Sequence, residues 1–241
     1  MPYLKKIIKF KNSIEIEKCF SGKYGWKGRP QKKRVPSSEE IKNMNRRQAV
    51  KKLRWKIKAN FNEVDDFHLV LTYKKEERPD VEEAKRRLKN FIQNVRRQYK
   101  KKGHDFKYII VTEYKNKAIH HHLVINGMPD TIKLICQYWP HGRPNFTPLH
   151  EEESLGELAE YLIKETDKTF REKKYQKQRY SCSRNLLEPD VKIEVVPANT
   201  FRKDIKPRAG YYIDKNSIQE GINEFGYQYQ FYTMIKIKKQ E

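Results

Sequence analysis

The sequence predicts an α+β protein in which a central, mainly antiparallel β-sheet is flanked by helices, with a basic N-terminal extension. Three observations predict it. Short β-rich runs recur along the chain, two of them sit close enough for a hairpin, and they mix with helical periodicity in irregular order rather than strict strand–helix alternation. A length of 241 residues can bury a substantial core.

Residues 1–36 are basic, punctuated by Gly22, Gly25, Gly28 and Pro30, and carry Tyr24 and Trp26, which reads as an arm or short hairpin. Ser37 and Ser38 ahead of Glu39 and Glu40 mark a helix start, and Ile41, Met44, Val50, Leu53 and Ile57 give it an apolar side. Phe67–Tyr73 is β-rich and predicts a central strand. Asp80 with Glu83 makes a capping pair, after which Ala84, Leu88, Phe91, Ile92, Val95 and Tyr99 repeat at helical spacing until Gly103.

Phe106–Tyr114 and Ile119–Asn126 are two β runs around a polar stretch and predict an antiparallel hairpin. A short helix over 130–138 and a strand over 143–149 follow. Ser154 and Glu157 form a second capping box, opening a helix with Leu155, Leu158, Ala159, Leu162 and Ile163 on one side. Strands are expected at 191–196 and 227–237. The resulting division is an arm over 1–36, a core over 37–200 and a β-rich C-terminal segment over 201–241 packed on the core.

The formal net charge is +22, and residues 1–60 hold 19 lysines and arginines against 4 acidic residues. Such a skew is the electrostatic footprint of polyanion binding, and the basic sides of the helix after Ser37 make Arg46, Arg47, Lys51, Lys52 and Arg54 the candidate phosphate contacts. No basic amphipathic anchor with a broad apolar face and no apolar run of membrane-spanning length is present, so nucleic acid is favoured over a membrane. Cys19, Cys136 and Cys182 form neither a disulfide framework nor a zinc motif, and no signal-peptide pattern opens the chain. A reducing, cytoplasmic setting is expected.

If the hairpin loop holds two or four residues centred between Asn116 and Lys117, Glu113 faces His120. Opposed residues share a face and neighbours alternate, so Glu113, His120 and His122 emerge on one side and His121 on the other. Two imidazoles and a carboxylate suit a divalent cation with open positions for water or phosphate. An odd-numbered loop would take Glu113 off that face. Tyr161 falls on the flank of the apolar arc of its helix, with Lys164 one turn on as a neighbour. Alone, that pair reads more readily as an amphipathic edge tyrosine and a solvated lysine than as chemistry.

Taken in order, Phe67-x-Leu-x-Leu-Thr-Tyr73, then Glu113 with His120-His121-His122-Leu123-Val124-Ile125, then Tyr161-Leu162-Ile163-Lys164, resemble the three motifs of HUH endonucleases. The resemblance is closest to rolling-circle replication initiators of small plasmids and of filamentous or tailless phages, and covers roughly residues 40–200. The middle position of the histidine motif, usually hydrophobic, is His121 here, and strand alternation favours His120 and His122 as ligands.

The resemblance implies a Rep-like fold whose sheet carries the histidines, with Tyr161 as nucleophile and Lys164 beside it in the single-tyrosine arrangement. It implies a divalent cofactor, Mn²⁺ or Mg²⁺, and a partner in single-stranded DNA or an origin hairpin. Nicking would yield a 5′-phosphotyrosine and a free 3′-hydroxyl. No phosphate-binding Gly-x-x-x-x-Gly-Lys loop follows, so helicase and polymerase would come from the host. A transposase or mobilisation relaxase with the same chemistry, or a non-catalytic nucleic-acid-binding protein, are the alternative readings.

Overall fold

The computed structural model of the chain describes residues 2–20, 35–61, 65–114, 118–149, 154–172, 178–202 and 204–237, the side chains of 154 and 168–172 excepted. It is α+β, with two antiparallel five-stranded sheets and four helices among the described residues. The chain divides into two compact units, residues 1–47 with 189–241 and residues 48–188. The sequence reading placed its boundaries after residues 36 and 200 instead.

The first unit is a sheet of β1 (Tyr3–Lys9), β2 (Ser13–Phe20), and three strands from the far end of the chain. Beyond the first helix, α1 (Ser38–Asn60), the second unit runs β3 (Phe67–Leu71), α2 (Val81–Lys101), β4 (Tyr108–Glu113), β5 (His120–Ile125), α3 (Thr131–Tyr138), β6 (Pro144–Pro148), α4 (Ser154–Glu172) and the two-residue β7 (Ser181–Cys182). The strands β8 (Asp190–Val196), β9 (Tyr211–Ile222) and β10 (Gln228–Lys236) complete the first sheet in the order β8-β1-β2-β10-β9. Residues 3–20 are therefore a hairpin held between β8 and β10, while residues 21–34 of the expected arm lie outside the described residues. One face of this sheet buries Ile7, Ile14, Ile16, Tyr232 and Met234.

In the second unit the strand order is β6-β3-β5-β4-β7. Strand alternation sends two sets of side chains to opposite faces. Leu69, Leu71, Ile110, Leu123 and Ile125 pack with Phe91, Val95 and Tyr99 of α2 and Ile135 of α3. On the other face Ile109, Val111 and Val124 meet Leu53 and Ile57 of α1 and Leu155, Ala159, Leu162 and Ile163 of α4. Each such side chain, taken fully from water, contributes about 1.5–3 kcal/mol before entropy is counted. The apolar side expected on α1 is realised in its second half only, for Ile41 is exposed.

The Asp80 carboxylate caps α2 by accepting from the Glu83 backbone N–H at 2.8 Å, as its spacing predicts. Strand β3 stops at Leu71, short of the expected Tyr73. The carbonyl of Thr72 accepts from the Trp139 indole at 2.9 Å, and Lys74 N–H donates to the His141 carbonyl at 2.8 Å, so this stretch turns to the loop after α3. Gly142 permits that approach, since a Cβ there would lie 2.2 Å from the Thr72 carbonyl oxygen.

Candidate functional site

The β4–β5 ladder pairs Glu113 with His120, Thr112 with His121 and Val111 with His122. This is the register expected from the hairpin, although residues 115–117 of its loop lie outside the described residues. Glu113, His120 and His122 stand on the face covered by α1 and α4, and their ligand atoms all lie within 4.8 Å of one another. His121 is on the other face. There its Nε2 is 2.8 Å from the Tyr73 hydroxyl and its Nδ1 2.8 Å from the Thr112 hydroxyl, so both ring nitrogens are engaged in the core.

His120 Nδ1 donates to the Ala118 carbonyl, 3.1 Å away, because a carbonyl can only accept. Its Nε2 is then the free edge of the ring, and it lies 2.9 Å from Glu113 Oε2. That separation is the spacing of neighbouring donor atoms on one cation. His122 Nε2 is buried and has no hydrogen-bond partner among the described residues, an arrangement costly for a polar atom unless a ligand meets it. Burial, then the neighbouring His120 and His68, holds the His122 imidazole down at about 3, so the ring is neutral at pH 7 and can offer a lone pair. The donor set of two nitrogens and one carboxylate fits a divalent cation.

A fourth residue joins them that the sequence reading did not single out. His68 on β3 pairs in register with Val124 and shares the face of His122. Its Nε2 is 3.3 Å from His122 Nδ1, and burial lowers its pKa to about 4. The available signal was a histidine at an alternate position of a strand already predicted to be central, but its neighbour on β5 depends on a register between segments far apart in sequence.

Tyr161 on α4 presents its ring edge-on to His122, with centroids 5.4 Å apart and planes at 84°. Leu162 and Ile163 anchor the helix beneath, and Tyr161 itself stays 42% exposed. Its phenol is pushed up by partial burial, then by the carboxylates of Glu165 and Glu113. Lys164 is exposed one turn further on. The recessed donors and the partly exposed tyrosine thus lie side by side.

The five basic residues expected to meet phosphate are dispersed along α1. Arg47 is exposed and paired with Glu224 at 2.5 Å, Lys52 is exposed, and Lys51 Nζ lies 5.0 Å over the Trp55 ring. Arg46 is half-buried. Arg54 reaches the start of α4, where a Cβ on Gly156 would be 3.7 Å from its Cδ. Among the described residues no helix is long and apolar enough to cross a membrane.

No curated protein and no solved structure matches the chain. Residues 66–170, which contain β3, the histidine hairpin and most of α4, match the family of replication-associated protein ORF2/G2P, and this similarity supports a replication initiator of the Rep type acting on DNA.

Proposed function

We propose that the chain is a rolling-circle replication initiator of the single-tyrosine HUH type, which nicks and rejoins single-stranded origin DNA. The observation that carries this reading is the edge contact of Tyr161 with His122, the histidine whose Nε2 is buried and unpartnered. Glu113, His120 and His122 would hold one divalent cation, Mn²⁺ or Mg²⁺. Bound there, it would polarise a phosphate oxygen and offset charge on the leaving 3′ oxygen.

The chain's own groups supply the rest. A tyrosine hydroxyl is a weak nucleophile near pH 7, and burial with two nearby carboxylates keeps Tyr161 protonated at rest. Its partial exposure lets a strand reach it. The phenol gives its proton to water as the Tyr161 oxygen attacks phosphorus to form the tyrosyl ester, and the 3′ oxygen, as its bond to phosphorus breaks, takes a proton from water to become a 3′-hydroxyl able to prime synthesis. One phosphodiester replaces another, so rejoining needs no ATP. Lys164 adds positive charge beside the scissile phosphate, and the basic residues of α1 hold flanking phosphates.

The test mixes the protein with a labelled origin hairpin and Mn²⁺ or Mg²⁺. A protein–DNA adduct that survives SDS, and is lost in Tyr161→Phe and on chelation, is expected. An adduct still formed by Tyr161→Phe would remove Tyr161 from the role, and binding without any cleavage would favour a non-catalytic DNA-binding protein.

A further inference from the structure

On the sheet face opposite His122, helix α2 leaves an open cleft of about 640 Å³ against β4 and β7. Lys85, Lys89 and Arg96 line it from the helix, and Tyr108, Tyr114 and Tyr180 from the strands and the segment before β7. Leu88 and Ile92 make its floor. The three cations sit at i, i+4 and i+11, so they share one face of α2 over about 16 Å of its length. The volume is of the size that takes a small ligand, and the mix of apolar floor, aromatic wall and cationic rim is specific in chemistry.

The cations are not equivalent. Lys85 is paired with Glu82 at 2.8 Å. Lys89 is exposed, and Arg96 spends one of its five N–H donors on the Tyr108 hydroxyl at 2.9 Å, with its guanidinium 5.7 Å from that ring's centroid. Flat tyrosine rings beside two cations offer stacking to a base and charge to its phosphates, the combination by which unpaired strands are held without sequence preference. A paired base has both faces stacked and cannot enter. With Lys89 and Arg96 on its rim, the complementary ligand is an anion, and beside tyrosine rings a nucleotide strand.

We infer that this cleft is a second contact for single-stranded DNA, seating an unpaired nucleotide with its base against the tyrosines and its phosphates on Lys89 and Arg96. The inference rests on the DNA-nicking reading for its ligand, but not on the chemistry at Tyr161. It gives the strand a hold on the sheet face away from the cut.

The test measures binding of a labelled oligothymidylate to the full chain by fluorescence anisotropy, without metal. The variant Lys89→Glu with Arg96→Glu is compared with Lys100→Glu with Lys101→Glu, which places the same charge change on exposed positions of α2 outside the cleft. The cleft variant is expected to bind about tenfold more weakly than the control variant, with the salt slope reduced by roughly 1.4 for two phosphate contacts. Ultraviolet cross-linking of 4-thiothymidine is expected to label Tyr108, Tyr114 or Tyr180 in the wild type. Equal weakening in both variants, or cross-links only elsewhere, overturns the inference, as does competition by a polyglutamate peptide as strong as by oligothymidylate. The adduct assay separates the two readings: adduct formation with an unaffected cleft variant overturns the cleft alone, whereas weakened cleft binding without any adduct overturns the nicking reading alone.

Discussion

His68 Nε2 lies 3.3 Å from His122 Nδ1, and the two rings stack with their planes only 14° apart. A hydrogen bond from His122 Nδ1 to His68 leaves the lone pair of His122 on Nε2, the atom that is buried without a protein partner. With the bond in that sense, His68 would act through His122 by fixing its tautomer and tilt. Such supporting partners are worth about 10–100-fold in metal affinity. His68→Phe, which keeps a ring in the stack but removes the bond, is expected to weaken Mn²⁺ binding by that factor in a calorimetric titration. An unchanged affinity would reduce His68 to packing.

The three consecutive histidines should separate cleanly by what their loss costs. His121 is fully buried and bonded to the hydroxyls of Tyr73 and Thr112, so His121→Ala leaves a cavity and takes a hydrogen bond from each of two hydroxyls. A loss of about 3 kcal/mol is expected from urea unfolding. His122→Ala removes one hydrogen bond, to His68, where His121→Ala removes two, so its main effect is expected to be lost cation binding, with a smaller stability change. Reversal of that order would place the cation on the wrong face of the hairpin.

Cation binding should be visible as stability. A ligand that binds only the folded form at 100 times its dissociation constant adds about 2.7 kcal/mol. The thermal midpoint is therefore expected to rise by about 5 °C or more with saturating Mn²⁺, and to fall back with a chelator. Glu113→Gln or His120→Ala should abolish most of the rise. A rise that persists in both variants would move the site elsewhere.

Tyr99 supplies an alkaline limit to stability. Its hydroxyl donates to the Asn126 carbonyl at 2.7 Å and lies 3.0 Å from the Thr131 hydroxyl, and burial pushes its pKa up to about 12. The unfolded phenol ionises near 10, so between about pH 10 and 12 the unfolded chain binds fewer protons than the native one, and stability falls as pH rises. The contribution is intact below pH 10 and is lost through the folded value, a change on the order of 2 kcal/mol. Tyr99→Phe, less stable at neutral pH by the lost bond, should show a shallower decline over this window in denaturant titrations. A parallel decline would exclude Tyr99 as its source.

Local patterns were legible where one element decided them. The capping pair at Asp80 and Glu83, the periodicity of α2 and the alternation of the histidine hairpin each depend on neighbours within a few residues. The strand β9 escaped, because its mixture of charged and apolar residues carries little alternation and its ladder to β10 is interrupted between Phe231 and Thr233. The hairpin of residues 3–20 was legible only as an option, since its pairing to β8 and β10 joins segments from opposite ends of the sequence.

The same division runs through the candidate site. By itself the sequence determined the separation of His121 from its neighbours and the helix that carries Tyr161 and Lys164, because strand alternation and helical spacing are properties of the local backbone, while it placed Glu113 against His120 only for an even-numbered loop. Only the tertiary structure decided that His68 would stand beside His122, that Tyr161 would meet it edge-on, and that α2 would leave a cationic cleft on the other face. Those relationships join segments tens of residues apart, and their distances are set by how the apolar faces of α1, α2 and α4 seat on the sheet rather than by any local rule.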